Sequence, residues 1–303
     1  MSPRVWLLDA SIYIFRAWFS LPDRWHTADG MPLNAVYGYA GFICDFIAGR
    51  PPGSRMVAAF DESLGTCFRH QLYPDYKCSR VLPDEALAFQ LAACRQLTEL
   101  SGITCFGGPR YEADDYLAAS AAQARAEQLP VTVVTRDKDL GQLLCSDEDC
   151  WWDAAADETL DMQRFHARFG VQPWQFASYL ALTGDSVDDI PGVPGVGPKT
   201  AAALIDAFGD IDTLLANLDQ VGDLSLRGAR SLGARLAEHQ DQIRLAQQLA
   251  LLVEDIADVR LPAPFAIARQ QVDQVVDYLQ SLGIEGPLLA RWRRLEETVS
   301  CVS

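Results

Sequence analysis

Lysine is nearly absent from this chain. Of 25 basic residues only three are lysines, Lys77, Lys138 and Lys199, and the rest are arginines. An ammonium is a compact point charge and a guanidinium a planar fork, so each lysine is a candidate place for a compact cation, with chance as the competing reading. Long apolar runs are missing too. None approaches the ~20 residues that span a membrane, and the opening VWLL is cut short by Asp9, too soon for a signal peptide. The eight cysteines (44, 67, 78, 94, 105, 145, 150, 301) form no CxxC pair and no zinc-ligand spacing. Without a secretion signal they read as reduced thiols, and the expected compartment is the cytoplasm. No fixed-period repeat and no low-complexity tract is present. Positive charge is scarce overall: the net charge of −16 argues against a polyanionic partner unless the acids are gathered in one place.

What is present is ordinary in bulk, with 49% hydrophobic and 22% charged residues in a 303-residue chain, the size at which one domain gives way to two. The first half alternates. RVWLLD (4–9), RMVAAFD (55–61), ITCF (103–106) and LPVTVVTRD (129–137) read as strands, and helical spacing covers 10–20, 34–49, 84–102 and 112–128. That pattern implies a mostly parallel central sheet with helices on both faces. Beyond about residue 160 the strand signals fade, and 229–253 among others reads as helical.

Acids gather where these strands end. Asp9, Asp61 and Asp137 each close a predicted strand, Asp139 follows, and Glu112, Asp114 and Asp115 open the helix after 103–106. GDSVDD adds Asp185 and Asp188, spaced one helical turn apart. Taken singly, each has a bland explanation as a cap, a first-turn acid or a turn residue. Nine together cannot all be caps, because burying uncompensated anions costs several kcal/mol each. Hard divalent cations offset that cost, and an oxygen-only set suits Mg²⁺ or Mn²⁺ rather than Zn²⁺. Nine carboxylates exceed the need of one ion and suggest two.

Two further stretches point to an anionic partner. IPGVPGVGPKTAAALI (190–205) places Gly192, Gly195 and Gly197 in a tight hairpin that enters a helix near Pro198 and Lys199, where backbone amides and the ammonium attract anions. A P-loop is rejected, because Pro198 separates Gly197 from Lys199. A ligand-free helix–helix turn is the alternative. FRHQLYPDYKCSR (68–80) interleaves Arg69, His70, Lys77 and Arg80 with Phe68, Tyr73 and Tyr76, which suits phosphate contact with base stacking.

With VYGYAGF, FRHQLYPDYKCSR, YEADDYLA, TRDKDLGQLL, ALTGDSVDDIPGVPGVGPKTAAALI and NLDQV in this order, the sequence resembles the bacterial 5′→3′ exonuclease and flap endonuclease family. That family includes the 5′-nuclease domain of DNA polymerase I. The resemblance runs from Asp9 to about Asp255. It implies a PIN-like α/β core over 1–172 with a helical arch at about 66–100. A helix–three-turn–helix DNA clamp over 173–260 and a C-terminal helical extension over 261–303 complete the expected organisation. It also implies two Mg²⁺ ions, the first held by Asp9, Asp61, Glu112, Asp114 and Asp115, the second by Asp137, Asp139, Asp185 and Asp188. Lys77 and Arg80 match the basic pair at the arch base and, with Asp114, are the expected catalytic residues. K⁺ in the clamp falls on the carbonyls of Leu182, Thr183, Pro191, Val193 and Val196. DNA contacts fall on Arg16, Arg69, Tyr73, Tyr76, Gly192, Gly195, Gly197, Lys199 and Thr200.

The expected partner is therefore DNA with a 5′ single-stranded flap or end beside duplex, cut by a stand-alone monomeric nuclease without a polymerase domain. Acids outside the site, such as Glu254, Asp255 and Asp258, would lie away from the DNA. The chain departs from the family at Ala10, where glycine is usual, at Arg136 in place of a small residue, and in RVLPDE, which lacks a proline-rich arch entry. A PIN-type ribonuclease would share the strand-end acids without the glycine hairpin. A non-catalytic branched-DNA binder would not need all nine acids.

Overall fold

The computed structural model describes residues 3–63, 65–226 and 228–300, so Cys301 lies outside the described residues. The first stretch of chain runs β1 (Val5–Asp9), α1 (Ala10–Ser20), α2 (Asn34–Ala48), β2 (Arg55–Ala59), α3 (Phe68–Leu72) and α4 (Glu85–Leu100). The middle adds β3 (Thr104–Phe106), α5 (Ala113–Ala126), β4 (Val131–Val134), β5 (Cys150–Asp153) and β6 (Glu158–Leu160). Helices follow to the end: α6 (Met162–Phe169), α7 (Phe176–Thr183), α8 (Pro198–Phe208), α9 (Ile211–Ala216), α10 (Ala229–Glu238), α11 (Gln240–Ala250), α12 (Arg269–Ser281) and α13 (Pro287–Ser300). Two compact units form from discontinuous segments. Unit 1 takes Met1–Glu62, Leu82–Arg136 and Glu254–Ser303; unit 2 takes Ser63–Val81 and Asp137–Val253. These units cut across the linear segmentation expected from the sequence.

In unit 1 the strands lie in the order β3-β2-β1-β4, all parallel, with Asp9 opposite Ala59 at the carboxyl end of the β1–β2 pair. Every residue of β4 is buried, as are Leu7, Leu8 and Val57 to Ala59. Strands with no wet face require cover on both sides, which is why they read as apolar runs rather than alternating ones. Helix α5 packs against β1 and β2, and α12 and α13 pack against α4 and α2. Trp292 of α13 is fully buried, and its indole N–H donates to the Ala40 carbonyl at 3.1 Å. The C-terminal helices are therefore part of this core rather than an appended extension.

The expected arch at 66–100 also requires correction. Its second half is α4, whose Leu87, Ala93, Cys94 and Leu97 are buried in unit 1. Gln90 explains the fit. Helix α2 has no side-chain cap of its own, and Gln90 Oε1 accepts from the amides of Ala35 and Val36 at 2.7 and 3.1 Å. Those are orphan donors of a helix start, and a buried amide satisfies them from a distant element.

Unit 2 begins with the antiparallel β5–β6 hairpin, Trp151 opposite Leu160, whose short strands sequence periodicity did not reveal. Its helices surround Phe165, Phe176, Leu180, Leu204, Leu236 and Ile243. The helical reading of 229–253 holds as far as Ala250, with a break at His239 between α10 and α11; residues 251–253 leave the helix.

Candidate active site

The unit 1 acids are set by backbone. Asp9 ends β1 and stands just before α1, 7% exposed; it is not capping that helix but accepts from Thr135 Oγ1 at 2.8 Å. Asp61 lies two residues beyond β2, its amide donating to Ser11 Oγ at 2.9 Å, which ties it to the first turn of α1. Glu112 and Asp115 are buried at the start of α5, where the Asp115 carboxylate accepts from the Glu112 amide at 3.1 Å. Asp114 sits in the same first turn, half-buried. The positive end of the helix dipole offsets part of this charge. Arg16 is exposed on α1.

The unit 2 acids are set by cations. Asp137 and Asp139 form a tight turn in which the Asp139 amide donates to Asp137 Oδ1 at 2.9 Å, while Trp151 Nε1 donates to the Asp137 carbonyl at 2.7 Å. Asp185 and Asp188 do not share a helix face as their spacing suggested. Helix α7 stops at Gly184 (φ 71°, ψ 174°), and the segment closes as a loop through the Asp185–Ile190 bridge. Asp185 Oδ1 accepts from the Val187 amide at 2.8 Å, and its Oδ2 accepts from Lys138 Nζ. Lys138 Nζ also stands 3.1 Å from Asp139 Oδ1. Asp188 Oδ1 pairs with Arg80 at 2.7 Å, and its Oδ2 lies 3.5 Å from Lys77 Nζ and accepts from the Tyr76 hydroxyl at 3.3 Å.

The 75–80 turn is docked on that acidic loop by backbone as well. The Lys77 amide donates to the Asp188 carbonyl at 3.0 Å, and the Ser79 amide to Asp189 Oδ2 at 2.9 Å. Lys77 (φ 53°) and Asp189 (φ 54°) both adopt the left-handed region, which costs on the order of 1 kcal/mol each for a residue with a Cβ. Strain at two facing residues is the mark of a position held by its surroundings. Burial pushes the Asp139 carboxyl up to about 7, and the neighbouring Asp137 charge adds to it. Burial likewise raises Asp137.

Two expected DNA contacts are corrected by burial. Arg69 is 1% exposed; its guanidinium donates to the carbonyls of Leu249 and Leu251 at 2.8 and 2.9 Å, satisfying the end of α11. A cation at a helix C-terminus meets both orphan carbonyls and the negative dipole end. Tyr76 is 2% exposed, its ring in the unit 2 core, which leaves no face for a base. Tyr73 is partly buried against that core.

The glycine hairpin forms as expected. A Cβ on Gly192 would lie 2.2 Å from the Thr183 carbonyl oxygen, so two backbones meet there as only glycine allows. The Val193 amide donates to the Leu182 carbonyl at 2.9 Å and the Val196 amide to the Val193 carbonyl at 3.0 Å; Pro191 is half-buried beside them. Gln242 and Arg235 hold the hairpin from outside through the Gly192 and Pro194 carbonyls. Gly195 (φ 77°) and Gly197 are exposed, Gly197 precedes α8, Lys199 is exposed in its first turn, and Thr200 is half-buried beside it.

Among the described residues no three His, Cys, Asp or Glu side chains are assembled as a ready metal cage. Lysines and arginine stand beside the unit 2 acids instead. The donor set nonetheless fits a hard ion: it is carboxylate oxygen throughout, and Asp139 Oδ1 is buried with no aligned hydrogen-bond donor despite the nearby ammonium.

A parallel sheet with carboxylates at its strand ends, joined in one chain to a helical unit with an acidic loop and a glycine hairpin, is the arrangement of a PIN-like nuclease. Residues 4–170 match the 5′-3′ exonuclease N-terminal resolvase-like domain and residues 171–274 the 5′-3′ exonuclease C-terminal SAM fold, and the chain belongs to this 5′-3′ exonuclease family. DNA polymerase I of Rhizobium leguminosarum is 32% identical across 98% of this chain, which spans only 29% of that relative's length. The 5′-3′ exonuclease of Aquifex aeolicus is 34% identical, with 71% of this chain and 73% of that protein covered. The fold resembles that of bacteriophage T5 5′-exonuclease with bound zinc (TM-score 0.62, 18% identity, both chains fully covered). It also resembles the Rad2 catalytic core in complex with DNA substrate (TM-score 0.60, 16% identity, 100% and 92% covered).

Proposed function

We propose that the chain is a divalent-metal-dependent nuclease that cuts DNA near a 5′ single-stranded end or flap adjoining duplex. The observation that carries this reading is the docking of Lys77 and Arg80 on Asp188, which gathers the expected phosphate-binding cations and an expected metal acid in one loop cluster. The family's shared name, the divalent ions named with the T5 enzyme and the DNA named with the Rad2 core support it.

Asp9, Asp61, Glu112, Asp114 and Asp115 would hold one ion, and Asp137, Asp139, Asp185 and Asp188 a second. Bound Mg²⁺, or Mn²⁺ in its place, supplies a water of lowered pKa and neutralises charge on the phosphate. Lys77 and Arg80 orient the scissile phosphate and offset its developing charge, with Asp114 beside the first ion. Residues 78–82, exposed throughout with Val81 at 95% and Leu82 at 65%, are the part of the expected arch left to guide a single strand.

Lys199, Thr200, Gly195 and Gly197 would meet duplex phosphates, and Arg16 a further backbone position. The carbonyls of Leu182, Thr183, Pro191, Val193 and Val196 would hold K⁺; a carbonyl already accepting one amide keeps a second lone pair. The reading includes a monomer in a reducing compartment, in keeping with seven described cysteines that are all free. Among the described residues no helix is long and apolar enough to cross a membrane.

The test is cleavage of a labelled 5′ flap, the matching 3′ flap, a hairpin and a single strand with Mg²⁺. Preferred cutting at the base of the 5′ flap supports the proposal. Binding without cutting would make the chain a branched-DNA binder, and a preference for RNA would make it a PIN-type ribonuclease.

A further inference from the structure

Of the three lysines, the nuclease reading uses Lys77 on the phosphate and Lys199 on the duplex, and leaves Lys138 without a task. Its surroundings are specific. The ammonium hydrogen-bonds Asp185 Oδ2 and lies 3.1 Å from Asp139 Oδ1, so it bridges two loops 47 residues apart in sequence. The acids are largely buried and the cation is more open to water: the Lys138 side chain is 41% exposed, Asp139 15% and Asp185 5%. Burial alone would lower the Lys138 pKa; the charge of Asp139, then the hydrogen bond and charge of Asp185, outweigh it and hold the pKa above the usual lysine value.

We propose that Lys138 is a positioning residue, the resident counter-ion that keeps Asp139 and Asp185 at ion-binding separation until a divalent cation displaces it. The inference rests on the metal reading above. Three considerations carry it. First, the loop acids Asp137, Asp139, Asp185 and Asp188 face three cations, Lys138, Lys77 and Arg80, so the cluster stays under-compensated and a doubly charged ion in place of the Lys138 ammonium balances it better. Second, a compact ammonium imitates a spherical ion between two carboxylates, whereas an arginine fork would clamp one of them, which accounts for lysine in a chain otherwise using arginine. Third, displacement has somewhere to go. Within unit 2 a cavity of about 510 Å³ is lined by Lys138, Asp185, Phe176, Tyr179 and Val187, and the aliphatic stem can lie along those apolar walls while the ammonium reaches water.

The acids are thus kept in register in the metal-free protein without being locked. An empty pair of carboxylates would repel and open the loops, and an arginine pair would resist exchange.

The experiment uses the full chain without DNA: titration calorimetry with Mg²⁺ and Mn²⁺, and thermal melts in EDTA, for wild type, Lys138→Met, Lys138→Arg and Asp185→Asn. Circular dichroism checks that each variant is folded. Lys138→Met should bind the second ion about tenfold more tightly, the scale of one lost charge competition, and should melt roughly 2–4 °C lower in EDTA. Lys138→Arg should restore the EDTA melt but not the tighter binding. A second ion event that Asp185→Asn leaves intact, or no second event in wild type, overturns the metal reading and this inference with it. An Asp185-dependent second event of equal or weaker affinity in Lys138→Met overturns this inference alone, as does an EDTA melt unchanged by that substitution.

Discussion

In unit 1 the strand-end acid Asp9 accepts from a threonine hydroxyl, and Asp115 at the start of α5 accepts from a backbone amide. In unit 2 the corresponding partners are largely cations, Lys138 on Asp139 and Asp185, Lys77 and Arg80 on Asp188. A helix start, where Asp9 and Asp115 stand, can tolerate negative charge because its amides and dipole are already aimed at it. Loops have no such field, so a loop that gathers acids must import charge on long side chains. Unit 1 therefore offers carboxylates in fixed positions, and unit 2 offers carboxylates whose present partners must be exchanged.

The sharpest way to break this contrast is to neutralise one acid in each unit. Asp9→Asn and Asp188→Asn should each reduce Mg²⁺-dependent cleavage by about 10²–10³-fold under single-turnover conditions, the scale of one lost electrostatic contact to the transition state. Their metal-free melts should separate them. Asp188→Asn removes a partner of Lys77 and Arg80 and should cost about 2 kcal/mol, whereas Asp9→Asn keeps a polar partner for Thr135 and should leave the melt in EDTA unchanged or raised. Equal destabilisation by both would erase the distinction.

Next in size is Arg69, which holds the 63–81 segment to α11 with a buried cation rather than with apolar packing alone. Arg69→Met should lower stability by about 3 kcal/mol in urea, because the buried Leu249 carbonyl and the more exposed Leu251 carbonyl both lose their donor. A loss confined to DNA affinity would return Arg69 to the interface.

Gly192→Ala is smaller. The added Cβ would strike the Thr183 carbonyl, which is backbone and cannot swing away, and about 2 kcal/mol of strain is expected. Binding of duplex-containing substrates should fall with it, and unchanged denaturation would show that the hairpin has slack.

The smallest effect concerns an exposed unit 2 cation, Lys199 in the first turn of α8. Lys199→Ala should leave the melt alone and reduce the salt slope of duplex binding by about one unit. Equal weakening on single strands would remove the duplex clamp.

Local patterning carried much of this. In unit 1, β1, β2 and β4 were legible because a strand buried on both faces must be apolar throughout, the half-buried edge strand β3 was read from the short ITCF run between two helical stretches, and YEADD announced an acidic helix start because those side chains follow one another directly. The hairpin was legible because Gly192, Gly195 and Gly197 at such close spacing have few other uses. The β5–β6 pair was not, since strands of four and three residues give no period to read. Nor was the loop between Asp185 and Asp188, where a spacing of three imitates a helical turn and Gly184 silently ends the helix.

By itself the sequence determined the parallel sheet and the placement of seven of the nine acids after strands and at a helix start, because periodicity and strand order are properties of neighbours along the chain. Tertiary structure decided what each polar side chain does. Arg69 and Tyr76 sit in the same basic, aromatic stretch as Lys77 and Arg80, yet the first two are buried in unit 2 and the last two meet Asp188. Gln90 caps a helix 55 residues away, and Lys138 joins two acidic loops. Such roles depend on which desolvated donors and acceptors meet across the fold, and a buried polar group must find its partner wherever the packing puts it.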